Sequence, residues 1–434
     1  MLSNIAQKIS LRGINMIVLL ITIFSLSANI QKGSFIRHYT PNAFQWLLVV
    51  SIVLTVVYLV KSHQVKEFFF SVPQKILIAL GSFIALTLIG WGIAILYLDI
   101  PTTAHTILDF GTFSMSVVLF FLVSFYAKGN RTFMWRCLGA LLIPNVHLLY
   151  YFFTHGLVGY WGVVNDFSLD LVLDPNILSK TLLVPALFFI GMALFSFQNK
   201  QWRMTGVYVV LGSTAVMMVL WTVSRGSLMS LVVGATATWF IFALRTCTWK
   251  KIVSSAIIIF GILLIGYSIL PYDTKQAIIL KSSNTFTIPP TSGGKIANIT
   301  VEEIRKLPQT ESRLLIWYFY PRYIWQHPFG VGPNASHNFG FTDKNGTPLY
   351  VGPDSTYLVI ALWGGVLGLV ICVYIVLVAL FGLWKKWQKN ADSMSFILLS
   401  ILFTLSAALF FDGMMALYCF YIVLALSLQH NEQH

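Results

Sequence analysis

Long apolar runs, separated by short polar or basic stretches, organise this chain from end to end. Crossing about 30 Å of hydrocarbon takes about 20 apolar residues in a helix, and within lipid every backbone amide must find its partner inside its own segment. Helices are therefore predicted near Ile14 to Ile30, Ala43 to Val60, Ile76 to Leu98, Phe110 to Tyr126, Phe133 to Phe153 and Ile177 to Phe197. Six more are predicted near Gly206 to Val223, Leu228 to Leu244, Ile252 to Leu270, Thr356 to Leu380, Met394 to Phe411 and Met414 to Leu428. Runs this long exclude the roughly ten-residue alternating strands of a membrane barrel. The expected fold class is all-α, a polytopic membrane helix bundle of about twelve transmembrane helices.

Composition strengthens this reading. Hydrophobic residues make up 57% of the chain and charged residues 10%, with a mean hydropathy of +0.77, which excludes a water-soluble globule. The formal net charge of +13 does not point to nucleic acid, because Lys and Arg sit singly between apolar runs and form no dense cluster with interleaved aromatics. Cys137, Cys372 and Cys419 fall inside apolar runs and Cys247 at the end of one. That spacing suits packing and not a disulfide or metal site. Lys8 and Arg12 precede the first run without a convincing small-residue cleavage site, so an uncleaved first span is expected.

The basic residues then set orientation, because short loops rich in Lys and Arg are retained in the cytoplasm. One alternate set of segments carries Lys8 and Arg12, then Lys61, Lys66 and Lys75, then Lys128, Arg131 and Arg136. It continues with Lys200 and Arg203, with Arg245, Lys250 and Lys251, and with Lys385, Lys386 and Lys389. The opposite short loops hold only Lys32, Arg37 and Arg225. Both termini are expected in the cytoplasm, with Pro271 to Asp354 on the outer face of the membrane. Three regions result: residues 1–270 with spans one to nine, a loop domain over 271–355, and 356–434 with spans ten to twelve and a tail. A loop of this length is usually functional. It carries helical patterns at Val301 to Lys306 and Ser312 to His327, the second with Leu314, Trp317, Tyr318 and Ile324 on one face, to lie on the membrane or the bundle. The stretch Ser282 to Ala297 is its loosest piece by composition.

Ionisable residues that are not cytoplasmic anchors collect at the outer face. Asp166, Asp170 and Asp174 precede the sixth span, Lys180 lies one turn inside it, and Arg225 caps the hairpin between spans seven and eight. Arg313, Arg322, His337 and Asp354 belong to the outer loop, and Asp412 sits in an Asp-Gly turn. A transporter is expected to carry mid-membrane charges and related halves, and neither is legible here.

Four stretches resemble the O-antigen ligases and O-antigen polymerases, bacterial membrane glycosyltransferases. Asp174-Pro-Asn-Ile-Leu-Ser-Lys180 is similar to the family's Asp-Pro-Asn opening of a span, and Ser224-Arg-Gly-Ser227 to its Ser-Arg-Gly hairpin. Ser312-Arg-Leu-Leu-Ile-Trp317 with His327-Pro-Phe-Gly-Val-Gly-Pro333 resembles its Arg...Trp...His-Pro-x-Gly-x-Gly run. The stretch from Asp354 through Trp363-Gly-Gly to Gly368 resembles its His-Asn-x-x-Leu...Gly-x-x-Gly start of the span after the outer loop. One departure stands out: ligases begin that last motif with a His treated as catalytic, whereas this chain has Asp354, and a His337-Asn338 pair occurs earlier in the loop.

The resemblance implies transfer of a sugar chain from an undecaprenyl-pyrophosphate donor to an acceptor hydroxyl, on lipid A core or on another lipid-linked chain. Such a donor has a good leaving group, so the protein mainly needs cations that hold the diphosphate, and Arg does this bidentately. Arg225 and Arg313 are the expected pyrophosphate-binding residues, with Lys180 as a third charge. His337 or Asp354 would take the acceptor proton, and Asp174, Asn176 and Asn338 would support the site. No cofactor is implied, no metal spacing is evident, and a single displacement would invert the anomeric carbon. Bland roles remain open beside these: snorkelling for Arg225 and Lys180, pairing with Glu311 for Arg313, turn composition around His337, and helix capping for Asp174, Asn176 and Asp354. Trp384 and Trp387 are expected in an interfacial belt. A flippase of lipid-linked oligosaccharide and a structural membrane subunit are the rival classes.

Overall fold

The computed structural model describes residues 10–27, 43–100, 102–142, 175–246, 248–272, 274–276, 278–279, 320–333, 355–410 and 418–431. Each of the twelve apolar runs coincides, over its described residues, with a helix. In chain order these are α1 (Leu11–Ser27), α2 (Ala43–Ser62), α4 (Gln74–Tyr97), α5 (Ala104–Ala127), α6 (Arg131–Leu142) and α7 (Pro175–Gln198). They continue with α8 (Trp202–Trp221), α9 (Arg225–Thr246), α10 (Trp249–Ser268), α11 (Thr356–Asn390), α12 (Ser393–Phe410) and α13 (Tyr418–Asn431). A short α3 (Val65–Phe69), not anticipated from hydropathy, links α2 to α4. Nine of the described helices, α2, α4, α5 and α7 to α12, are long and apolar enough to cross a membrane, and the chain is an all-α, multi-pass membrane protein.

Two ends differ from expectation for local reasons. α5 starts at Ala104, ahead of the apolar run, because Thr103 and Thr106 form a reciprocal capping box that satisfies the first amides. α11 continues to Asn390 because Lys385, Lys386 and Lys389 are good helix formers once outside the apolar layer. It stops at Ala391, which turns left-handed at φ 53°.

Packing follows the rules of helices in lipid, where close backbone approach replaces a hydrophobic drive between helices. A Cβ on Gly266 of α10 would come within 2.8 Å of the Ser213 carbonyl of α8, so the glycine is what lets these helices touch. The lipid side of α10 carries Ile257, Phe260 and Leu264, all exposed and at helical spacing. One large apolar cluster joins most helices. A smaller one joins α4, α5 and the start of α11 to Tyr320, Ile324 and Val331, so residues 320–333 of the long loop pack on the bundle. Ile324 is buried there, as its position on an apolar face predicted. The pattern at Val301 to Lys306 lies outside the described residues.

The basic helix ends meet at one end of the bundle. Arg131 pairs with Asp392, Lys386 donates to the His430 carbonyl, and Lys128 donates to the Phe70 carbonyl at 2.9 Å. The Arg245 guanidinium lies over the Trp387 ring at 4.7 Å, so Trp387 is a buried partner of a cation and not part of an exposed belt.

α11 is not one rod. Gly365 has φ 70° and ψ −170°, and two helical pieces meet there. A Cβ on Gly368 would lie 3.6 Å from the Ile360 carbonyl, whereas eight residues along a straight helix span about 12 Å. The chain therefore reverses at Gly365, and residues 356–364 lie alongside 366–390.

Candidate active site opposite the basic end

At the other end of the bundle, the four sequence motifs meet in two pairs through described atoms. The turn from α8 to α9 is held by the Thr222 hydroxyl, which donates to the Val219 carbonyl at 2.8 Å and accepts from the Ser224 amide at 3.4 Å. Between them Val223 sits at φ 48°, a left-handed conformation costly for a β-branched residue and a mark of an overdetermined, functional turn. It sets Arg225 as the first, half-buried residue of α9.

One turn into α9, the Ser227 hydroxyl meets the hydroxyl of Ser179. Ser179 precedes Lys180, and both are fully buried. Lys180 is thus packed within the protein near the start of α7. Snorkelling to solvent does not describe it. The Asp-Pro-Asn helix and the Ser-Arg-Gly helix are joined start to start, with Lys180 and Arg225 beside the joint.

The His-Pro-x-Gly-x-Gly loop and the Trp-Gly-Gly turn are likewise one unit. The Val331 amide donates to the Leu362 carbonyl at 2.6 Å and the Gly332 amide to the Trp363 carbonyl at 3.2 Å. These bonds satisfy carbonyls left open where the helix ends at Gly365. Gly330 and Gly332 have φ +78° and +69°, and a Cβ on Gly330 would come within 2.6 Å of the Gly365 nitrogen. At the head of this loop His327 lies against Tyr323, ring centroids 4.4 Å apart. Burial pushes the Tyr323 phenol up to about 12 and holds the His327 imidazole below its ordinary value, so His327 is neutral near pH 7.

Arg313, His337, Asn338, Asp354 and Asp174 lie outside the described residues, as does Asp412. Asn176 falls within α7, but only its backbone is described. The N-cap of α11 is Ser355, which corrects the expectation of Asp354 in that position. The exposed Arg322 lies on the helical residues 320–326. Sequence reasoning singled out Lys180 and Arg225 but not the Ser179–Ser227 pair that joins their helices. The signal available was that both serines adjoin the quoted motifs.

These features define a multi-pass membrane protein with buried basic chemistry at the end opposite its basic loops. Residues 207–373, well under half of the chain, match the family model described as O-antigen ligase. That span includes the Ser-Arg-Gly turn, the His-Pro-x-Gly-x-Gly loop and the Gly365 reversal, and it supports assignment to the O-antigen ligase family of ligase- and polymerase-type membrane glycosyltransferases. No curated protein matches the chain.

Proposed function

We propose that this protein transfers a glycan from an undecaprenyl-pyrophosphate donor to a sugar hydroxyl of lipid A core at the periplasmic face of the inner membrane, with both termini cytoplasmic. One observation carries the reading: the helix starts bearing Lys180 and Arg225 are bound together within a chain whose α8 to α11 region matches the O-antigen ligase family. Cations buried at lipid depth are expensive and mark the path of charged substrates.

Arg225 and Lys180 hold the diphosphate, and Arg313 of the loop domain over 271–355 adds a second guanidinium. The acceptor oxygen bonds to the glycosyl carbon, the carbon–oxygen bond to phosphate breaks, and the diphosphate departs with its charge neutralised. His337 or Asp354 takes the acceptor proton, with Asp174, Asn176 and Asn338 in support. The displacement inverts the anomeric centre and uses no metal. Asp at position 354, where ligases carry His, supports a second reading, a polymerase that extends another lipid-linked chain.

Purified protein supplied with lipid-linked donor and each acceptor in turn tests both readings. Transfer to lipid A core marks a ligase, and transfer to a second lipid-linked chain marks a polymerase. If Arg225→Ala leaves the rate and product unchanged, the diphosphate role is wrong. Translocation of the donor without any glycosidic product would establish a flippase instead.

A further inference from the structure

At the basic end of the bundle, one guanidinium is fixed in place by stacking alone. Trp387 of α11 is fully buried, and its indole N–H donates to the Ile241 carbonyl of α9 at 3.4 Å. Phe396 of α12 stacks on the same ring, centroids 4.8 Å apart. The Arg245 guanidinium, 4.7 Å from that ring's centroid, is therefore held by cation–π attraction at the seam where α9, α11 and α12 meet. Stacking uses the flat face of a guanidinium and leaves its N–H fork open. Arg245 Nη1 is closed off from solvent, yet it has no hydrogen-bond partner among the described residues.

A charged donor shut away from water with nothing to bond costs more than a neutral one, and the acid at the head of α12 does not relieve it. Asp392 is engaged by Arg131 and His430. Further positive charge stands nearby, because Trp239 Nε1 donates to the Ile252 carbonyl at 3.2 Å and so ties the start of α10, with exposed Lys250 and Lys251, to α9. Lys385 Nζ lies 4.5 Å from the Phe381 ring centroid. Phe240 and Leu244 of α9 and Phe381 of α11 are exposed apolar side chains on helices long and apolar enough to cross a membrane. Hydrocarbon thus reaches up to the level of Arg245.

We propose that Arg245, seated on Trp387, binds the phosphate of an anionic phospholipid in the leaflet at the basic end, with the acyl chains along Phe240, Leu244 and Phe381. The planar fork pairs with two phosphate oxygens at once, and basic pockets between membrane helices hold lipid head groups in this way. Lys250, Lys251 and Lys385 repel the ammonium of a zwitterionic head group and so select a net anion. Free phosphate offers the same oxygens, but the apolar side chains alongside favour a phosphate that carries acyl chains. The site lies at the opposite end of the bundle from Lys180 and Arg225, so it goes beyond the proposed glycan transfer and does not depend on it.

Full-length protein in a neutral detergent is titrated with phosphatidylglycerol or with phosphatidylcholine of matched chains, and bound lipid is counted by native mass spectrometry. The expected result is a phosphatidylglycerol held more tightly than any phosphatidylcholine. Arg245→Gln should weaken that binding by about tenfold or more, the scale of a hydrogen bond to a charged group. Lys250→Gln removes an equal charge from an exposed neighbour and should weaken it by no more than about fivefold, the worth of one cation near an anionic surface. Equal losses in the two variants overturn the inference, because bulk charge then explains the binding. Equal retention of the two lipids by the unaltered protein also overturns it, and this comparison decides the matter if Arg245→Gln does not fold. Inorganic phosphate is the third probe: displacement of phosphatidylglycerol at matched concentration makes the site one for a free anion, and the lipid assignment fails. Glycan transfer is not read in any arm, so every outcome leaves the proposed function untouched.

Discussion

Ser179 and Ser227 meet hydroxyl to hydroxyl, joining the starts of two helices whose next notable side chains are Lys180 and Arg225. Replacing either serine by Ala should cost about 1 kcal/mol, the net worth of one hydrogen bond, plus the penalty of a partner left unsatisfied. The double variant should cost less than the sum of the singles, a coupling that thermal unfolding of the detergent-solubilised protein will measure.

Lys180→Met keeps the length of a buried side chain but removes its charge. We expect thermal stability to hold and glycan transfer to drop about 100-fold, the usual scale for losing one electrostatic stabiliser. Lys180→Arg should recover part of the rate. A large loss of stability with unchanged transfer by the surviving folded fraction would instead make Lys180 structural.

The Gly330–Gly365 contact admits no side chain. A Cβ on Gly330 meets the Trp363 carbonyl at 2.5 Å, and both glycines are left-handed. Gly365→Ala should destabilise by roughly 1–3 kcal/mol from backbone strain alone, with more from collision with the Pro328 carbonyl. Gly81→Ala in α4, where a Cβ meets nothing within 4 Å, is the matched control and should leave unfolding unchanged or slightly later.

At the basic end, Asp392 accepts from the Ser395 amide at 2.9 Å and from His430 Nε2 at 2.7 Å, and it pairs with Arg131. Burial alone would raise this carboxyl, but those hydrogen bonds and the neighbouring charges hold it well below its ordinary 3.8. The stabilisation is complete above 3.8 and drains away as pH falls through the depressed folded value. Asp392→Asn should therefore lower the unfolding temperature at pH 7, and the gap to the unaltered protein should close in acid.

His327 gives a second pH signature. Its folded value lies below the ordinary 6.5 because burial disfavours the cation. Stability is full above 6.5 and declines as pH falls through that value toward the lower folded one. His327→Phe, which keeps the ring against Tyr323, should flatten the unfolding profile between pH 7 and 5.

Much of the fold was legible because helices in lipid are announced by length and apolarity alone. Over their described residues all twelve runs found a helix, and errors fell where another force decides, as at the Thr103 capping box or the lysine-rich extension of α11. The Gly365 reversal was hidden, since Trp-Gly-Gly inside an apolar run reads as an uninterrupted span. Its cause is a long-range contact with Pro328 and Phe329 that local pattern does not carry. Lys180 and Arg225 were legible as charges out of place against the positive-inside pattern, whereas their alignment depends on which helices pack, a tertiary property.

Because the chain folds back at Gly365 and the Val331 and Gly332 amides clasp the carbonyls just before that bend, residues 327–332 and the two limbs of α11 form a single mechanical piece. Any displacement of residues 327–332 must therefore carry Leu362 and Trp363 with it, so the loop and the short limb of α11 move together or not at all.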